Sequence, residues 1–156
     1  MGDLTHLNQA GEVHMVDISE KLPGRRAASA SGVVVCDPDT IRVIREQAAK
    51  KGDVLAVIRI AGIQGAKRTP ELIPLAHPIS VQSATVDLEL LEDRITIRAT
   101  VKTSDATGIE MEALTAVSCA ALTAIDMIKG IDRQAYIERI WLEEKTGGRT
   151  GTWSRR

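Results

Sequence analysis

An acidic and a basic side chain stand three residues apart near the end of a long apolar segment. Asp126 and Lys129 share one face of a helix, because residues at this spacing are neighbours on its surface. An exposed pair of this kind is an ordinary helix ion pair that contributes little to stability. The alternative is a carboxylate that orients a lysine for acid–base work. The spacing by itself leaves both interpretations open.

Two glutamates, Glu110 and Glu112, open the same segment. Anions stabilise the first turn of a helix, which explains both residues without any chemistry. Residues two apart do not share a helix face, so at most one of them is expected to face a given pocket. Glu112 and Asp126 are about 21 Å apart along a helix axis and cannot touch one reacting atom from a single chain. Either the substrate is long, or the site is shared between subunits.

Two loops could contribute further groups. His77, held by Pro78, carries an imidazole that could donate or accept a proton, or it is simply a polar loop residue. In the segment KTGGRTG (145–151), glycine amides could approach a phosphate beside Lys145 and Arg149. The alternative for that segment is a mobile turn near the chain end.

Several common sites are missing from the sequence. GIQGAKRT (62–69) fails the phosphate-loop spacing because Lys67 occupies the place of the second glycine. His6, His14 and His77 lack the spacing of a zinc site, and no CxxC pair is present. The sequence therefore gives little support to a metal-dependent hydrolase and predicts no metal ligands.

Composition narrows the class of protein. With 156 residues the chain is the size of one domain. A formal net charge of −1 and the absence of Phe argue against a nucleic-acid binder. Cys36 and Cys119 lie in apolar stretches and are expected to be buried thiols of a reducing compartment. We expect no signal peptide and no membrane span, hence a cytoplasmic protein.

Hydrophobic periodicity and caps predict the elements that position these groups. Asp37 and Asp53 are expected to cap two helices, and alternation predicts a hairpin. The predicted elements are a strand at 27–36, helices from Asp37 to Gly52 and at 54–67, a short turn at Thr69-Pro70, strands at 79–92 and 95–103, a helix at 109–129 and a strand at 135–144.

This order approximates the split β-α-β-β-α-β pattern and predicts an α+β fold, a ferredoxin-like sandwich with a four-stranded antiparallel sheet and helices packed on it. We divide the chain into an irregular arm (1–26), one α+β domain (27–146) and a glycine-rich loop and tail (147–156). The helices near 53–67 and 109–129 have little polar surface, so a homo-oligomer is expected to cover them.

Four segments together resemble one family. LTHLN…GEVHMVDIS, KKGDVLAVIRIAGIQGAKRTPELIPLAHP, IEMEALTAVSCAALTAIDMIK and EKTGGRTG resemble the cyclic pyranopterin monophosphate synthases, in their order and spacing, from residue 4 to about 153. This chain departs at Ala76, where the family usually has Cys. It also departs at Thr146, Arg149 and Thr150, where Ser and Lys are common.

The resemblance implies an enzyme of molybdenum-cofactor biosynthesis. Such an enzyme converts 3′,8-cyclo-7,8-dihydro-GTP to cyclic pyranopterin monophosphate and releases pyrophosphate. It implies Asp126 as the active-site carboxylate and Lys129 as its acid–base partner. The substrate-binding positions it implies are Leu75, Ala76, His77, Met111 and Glu112, with the basic residues Lys51, Lys67, Arg26 and Lys145.

The resemblance also implies an assembly and a cofactor requirement. Members are hexamers built from dimers, with the site at a dimer interface. The reaction moves protons rather than electrons, so no cofactor is required, although Mg²⁺ could accompany the substrate phosphates. Two rival classes remain. One is a sensor that binds a phosphorylated ligand without turnover. The other is an RNA-binding sheet, which the scarcity of aromatic residues disfavours.

Overall fold

A computed structural model of the protein describes residues 6–8, 10–47, 52–148 and 151–156. The elements in chain order are β1 (Gly24–Val35), α1 (Pro38–Arg45), α2 (Val54–Lys67), α3 (Thr69–Leu72), β2 (Ser83–Leu90), β3 (Arg94–Asp105), α4 (Glu110–Ile128), β4 (Tyr136–Thr146) and β5 (Trp153–Ser154). Between residue 6 and β1 the described chain forms turns and one isolated bridge, Leu7 with Val13.

One antiparallel sheet organises the molecule, with strand order β2-β3-β1-β4-β5. Strand β1 pairs along its whole length with β3, from Gly24 opposite Asp105 to Val35 opposite Arg94. Helix α4 packs on β1, β3 and β4, and α2 packs on α4 and β2. The prediction of an α+β fold with helices packed on an antiparallel sheet is confirmed.

The prediction of four strands was wrong, because the tail adds a fifth. Trp153 and Ser154 pair with Lys145 and Glu144 at the end of β4. Arg155 holds the tail against β4 by donating a hydrogen bond from its backbone N–H to the Glu143 carbonyl. A two-residue strand has no alternation to detect, so the tail was predicted as loop.

Aspartate caps begin the first two helices as predicted. Asp37 accepts a hydrogen bond from the Asp39 amide, and Asp53 accepts one from the Ala56 amide. Helix α1 is shorter than predicted and ends at Arg45, since Gln47 has a φ of 53° in the left-handed region and cannot continue a helix. The rest of the predicted helix falls partly outside the described residues.

Aliphatic side chains and close helix contacts form the core. The largest buried apolar residues are Ile41, Ile58, Ile95, Ile97, Ile109, Ile128, Val34, Val101 and Val117. By length and composition alone, α4 is apolar enough to cross a membrane. Half of that segment is buried inside the protein, against the sheet and α2, which is typical of a core helix.

The outer surfaces of α2 and α4 carry apolar side chains that nothing in the described chain covers. Ile60 is 60% exposed and Leu122 is 62% exposed. Val57 and Ile63 add to the exposed surface of α2. The sequence predicted this lack of a polar face on both helices.

Candidate functional site

A cleft of about 420 Å³ lies at the N-terminal end of α4, between the first turn of that helix, the loop after α3 and the N-terminal arm. We call it the α4 cleft. Five predicted substrate-binding residues line it: Leu75, Ala76, His77, Met111 and Glu112. The volume falls within the range of small-molecule sites. The structure therefore brings together two segments that are more than 30 residues apart in the sequence.

His77 ties the arm to the cleft. Its Nε2 lies 2.7 Å from the Val16 carbonyl oxygen. A carbonyl oxygen only accepts hydrogen bonds, so Nε2 carries the hydrogen and donates it. In the neutral ring Nδ1 is then an acceptor, available to a donor on a ligand. The arm consequently forms one wall of the cleft.

Glu112 is a buried carboxyl group within the lining. Its residue is 2% exposed, and Oε1 finds no hydrogen-bond partner among the described residues. The pKa of Glu112 is raised to about 7, chiefly by burial and further by the negative charges of Glu110 and Asp105, against a backbone hydrogen bond that lowers it. A carboxyl group with this pKa can exist as a donor or as an acceptor near neutral pH.

Glu110 lines the same cleft, so the expectation that at most one of the two glutamates would face a given pocket was wrong. The cleft lies over the end of α4 rather than along its side. At the end of a helix, side chains of the first turn that point in different directions can border one opening. The spacing rule applies to pockets along the body of a helix.

A second, smaller pocket of about 170 Å³ lies where β1 and the end of β4 meet the start of α4. We call it the tail pocket. Arg26 lines it and donates from Nε to the Asp105 carbonyl and from Nη2 to the Ala106 carbonyl, at 2.8 and 3.0 Å. Lys145 lines it and forms a 3.0 Å ion pair with Glu110. Two basic residues predicted to bind the substrate thus share one pocket.

Glycines shape the outer wall of the tail pocket. Gly147 and Gly148 have φ values of 89° and 76°, a conformation that side chains rarely adopt. A Cβ at Gly148 would lie 2.5 Å from Nη1 of Arg26. The tail can therefore lie against the guanidinium only because these residues are glycines.

Asp126 and Lys129 lie at the opposite end of α4. They form an ion pair of 2.6 Å, and their side chains are 58% and 62% exposed. The prediction that they share a helix face is confirmed. Within the described chain they line neither the α4 cleft nor the tail pocket, so their catalytic roles remain predictions.

Of the remaining predicted residues, the structure describes Lys67, and it does not bring Lys67 to either pocket. Lys67 is exposed at the end of α2 and is absent from the described lining of both. Lys51, Arg149 and Thr150 lie outside the described residues. No group of three or more His, Cys, Asp and Glu side chains in the described ranges could hold a metal ion.

Sequence reasoning missed the contribution of the arm. His6, Val16 and Lys21 line the α4 cleft, although none of them was predicted as a site residue. The arm has no periodic pattern, and the hydrogen bond that fixes it joins residues 61 positions apart. Only the cationic side chain of Lys21 offered a signal, and single lysines are too common on surfaces to single one out.

The fold and the site define an α+β protein with a small-molecule cleft at the N-terminal end of its core helix. Residues 15–148 match the model of the MoaC family, and the chain belongs to that family. It is 55% identical over 152 residues to the cyclic pyranopterin monophosphate synthase of Streptomyces avermitilis, covering 97% of this chain and 89% of that protein.

Two further relatives carry similar names. The cyclic pyranopterin monophosphate synthase of Thermomicrobium roseum is 52% identical over 157 residues, covering 99% of this chain and 95% of that protein. Cyclic pyranopterin monophosphate synthase 1 of Mycobacterium bovis is 52% identical over 153 residues, covering 97% and 90%. The similarity therefore extends over nearly the whole of each chain.

Proposed function

We propose that this chain is a lyase of molybdenum-cofactor biosynthesis that converts 3′,8-cyclo-7,8-dihydro-GTP to cyclic pyranopterin monophosphate and releases pyrophosphate. The observation that carries the proposal is identity above 50% to cyclic pyranopterin monophosphate synthases over almost the entire chain.

The chemistry of the two pockets supports this reaction. The α4 cleft offers apolar walls from Leu75 and Met111 beside polar groups from His77 and Glu112, as a flat heterocycle with polar edges requires. The tail pocket offers Arg26 and Lys145, which suit a phosphate chain. The pockets share Gly108 and Glu110, so one substrate could extend from one into the other.

Two subunits are proposed to build each site. The α4 cleft and the Asp126–Lys129 pair lie at opposite ends of a 19-residue helix, about 28 Å long. The exposed apolar residues Ile60 and Leu122 on α2 and α4 give a second chain a surface to cover. We extend this to a homohexamer built from dimers, with the site at the dimer interface.

In the proposed mechanism Lys129 moves protons while the purine-derived ring is opened and rebuilt as a pterin. Asp126, paired with it, orients the ammonium group. Basic residues at Lys51, Lys67, Arg26 and Lys145 bind the phosphates and stabilise the charge on departing pyrophosphate. No cofactor is proposed beyond Mg²⁺ that could accompany the phosphates.

The cellular setting and the fold family are also proposals. The two cysteines are free, and Cys36 is buried, which suits a reducing compartment such as the cytoplasm. Strands β2-β3-β1-β4 follow the neighbour order of a ferredoxin-like sandwich, and this supports that assignment apart from the added β5.

The test is an assay of purified protein with 3′,8-cyclo-7,8-dihydro-GTP that follows pyrophosphate release and pterin fluorescence after oxidation. Wild type is compared with Lys129→Ala and Asp126→Asn. Arg42→Ala is the matched control, because Arg42 forms an exposed ion pair with Asp39 at the same helical spacing. We expect both products from wild type and Arg42→Ala, and at least a hundredfold loss with Lys129→Ala.

Three results would each contradict a part of the proposal. Binding of the substrate by wild type without product would make the protein a sensor. Turnover by Lys129→Ala within a few-fold of wild type would remove the acid–base role of Lys129 and leave the reaction to other groups. If Asp126→Asn changes only the substrate concentration required and not the rate, Asp126 is a binding residue.

A further inference from the structure

Glu110 stands between the two pockets. Its side chain lines both the α4 cleft and the tail pocket. Among the described residues, its carboxylate forms an ion pair with one cation, Lys145, at 3.0 Å. Gly108 is the other residue that the two linings share. A Cβ on Gly108 would collide with the carboxylate of Glu110. The carboxylate therefore lies directly over the backbone that separates the pockets.

The cations of the tail pocket are already occupied. Arg26 uses Nε and Nη2 to hold the carbonyls of Asp105 and Ala106, the strand end and loop that precede α4. Lys145 is thus the cation that faces the pocket without a structural hydrogen bond to the backbone, and Glu110 neutralises it. In this state the carboxylate of Glu110 cancels the charge of Lys145, and the pocket keeps only the positive charge of Arg26.

The ion pair is partly shielded from water. The side chains of Lys145 and Glu110 are 29% and 24% exposed. A partly buried pair is screened less than one on the open surface, so Lys145 discriminates more strongly between a carboxylate and an anion of higher charge in its place. Pyrophosphate carries more charge than a carboxylate and offers more acceptor oxygens to Lys145.

We propose that Glu110 is an exchangeable counter-ion. It holds Lys145 and separates the tail pocket from the α4 cleft when the site is empty, and the phosphate chain of the substrate displaces it and joins the two pockets. This inference rests on the proposed function for the identity of the phosphate ligand. When pyrophosphate is formed, return of Glu110 to Lys145 helps to expel it. Glu110 therefore acts on phosphate affinity and product release through Lys145, as a positioning residue.

The probe is inorganic pyrophosphate, whose dissociation constant is measured by titration calorimetry without turnover. We expect Glu110→Gln to bind pyrophosphate about tenfold more tightly than wild type, because the amide keeps the shape of the side chain and no longer competes by charge. Lys145→Gln is expected to bind it at least tenfold more weakly.

A double variant isolates the exchange. In the Lys145→Gln background, Glu110→Gln is expected to give no tightening, since the pair acts as one unit. Glu138→Gln is the matched control. This substitution removes the same charge as Glu110→Gln. Glu138 also faces a cation, because its Oε2 lies 3.8 Å from Nη1 of Arg94 at the far end of the sheet. It is expected to leave pyrophosphate affinity unchanged. Thermal unfolding checks that all four variants fold.

Three results would overturn the inference. They are unchanged or weaker pyrophosphate binding by folded Glu110→Gln, tightening that persists without Lys145, and equal tightening by Glu138→Gln. The proposed function can fail separately. Wild type could make no product from the cyclised GTP derivative while Glu110→Gln still tightens pyrophosphate binding through Lys145. That result would contradict the proposed reaction and support the role of Glu110 as a counter-ion.

Discussion

Glu112 and Lys129 lie on one helix, 17 residues apart and about 25 Å along its axis. Glu112 is buried at the first turn of α4, and Lys129 is exposed at its end. The helix is packed on three strands and on α2, so no bending brings the two side chains together. A substrate shorter than this distance can contact both only if they come from different chains.

Mixing variants tests this shared site. Glu112→Gln and Lys129→Ala proteins are each expected to lose most activity. When they are unfolded together and reassembled at equal amounts, a site that takes its Glu112 end from one chain and its Lys129 end from the other can be intact. Random assembly makes about a quarter of the sites intact, so about a quarter of wild-type activity should return.

The control for reassembly combines Lys129→Ala with Asp126→Asn. Both changes lie at the same end of α4, so no pairing of these chains restores a complete site, and activity should stay at the level of the separate variants. A mixture of Glu112→Gln and Lys129→Ala that is no more active than its components would place both residues in a site within one chain.

The buried carboxyl group of Glu112 makes stability depend on pH. Its pKa is about 7 in the folded protein against about 4.5 when unfolded. Between these values the folded state binds more protons, so the free energy of unfolding falls as pH rises from about 4.5 through about 7. The full loss is at most about 3 kcal/mol. Glu112→Gln should remove this slope and be the more stable protein at pH 8.

Urea unfolding from pH 4.5 to 8.5 at one protein concentration measures the difference. The control is Glu138→Gln, which removes a carboxylate from the exposed edge of β4. Its curve should run parallel to that of wild type. If the Glu112→Gln curve is also parallel to wild type, the carboxyl group does not titrate in this range and is not buried in solution.

Much of the fold could be predicted because its signals are local. The Asp37 and Asp53 caps and the alternation in β2, β3 and β4 each fall within a few residues. The fifth strand and the early end of α1 could not be predicted. Trp153 pairs with Lys145 only after three glycines turn the chain, and Gln47 adopts a left-handed conformation that its residue type does not require.

The candidate site also has parts that could be predicted from the sequence and parts that could not. The segments at Leu75–His77 and Met111–Glu112 could be predicted from the resemblance, and the structure places both in one cleft. The hydrogen bond from His77 to Val16 and the ion pair of Lys145 with Glu110 join residues distant in the sequence. No pattern along the chain encodes such contacts, so the role of the arm as a wall came from the structure.

Asp132 is expected to be a stability residue of the loop that follows Lys129. It is buried, and its two oxygens accept hydrogen bonds from the backbone amides of Asp37, Gln134 and Ala135 at 2.8, 2.9 and 3.0 Å. Asp132→Ala leaves these amides without partners and should cost about 2–4 kcal/mol of unfolding free energy.

The unfolding free energy of Asp132→Asn should lie between those of wild type and Asp132→Ala. The asparagine amide nitrogen cannot accept a hydrogen bond, whereas its oxygen still can. Asp39→Ala serves as the control, since Asp39 is exposed and its ion pair with Arg42 is a surface contact. Urea unfolding measures all three. A loss below about 0.5 kcal/mol with Asp132→Ala would mean that water replaces the carboxylate at these amides.

Gly65 is expected to be required for the contact between α2 and α4. Alanine normally stabilises a helix interior by about 1 kcal/mol relative to glycine. Here a Cβ at Gly65 would lie 2.8 Å from Sγ of Cys119 and 2.9 Å from the Thr115 carbonyl oxygen, which is backbone and cannot turn aside. Gly65→Ala should therefore destabilise the protein by about 1–3 kcal/mol.

Gly24→Ala is the control, with nothing within 4 Å of its Cβ. Thermal unfolding measures the stability of both variants. If Gly65→Ala is as stable as wild type or more stable, α2 and α4 have room to move apart, and Gly65 is not required for their contact.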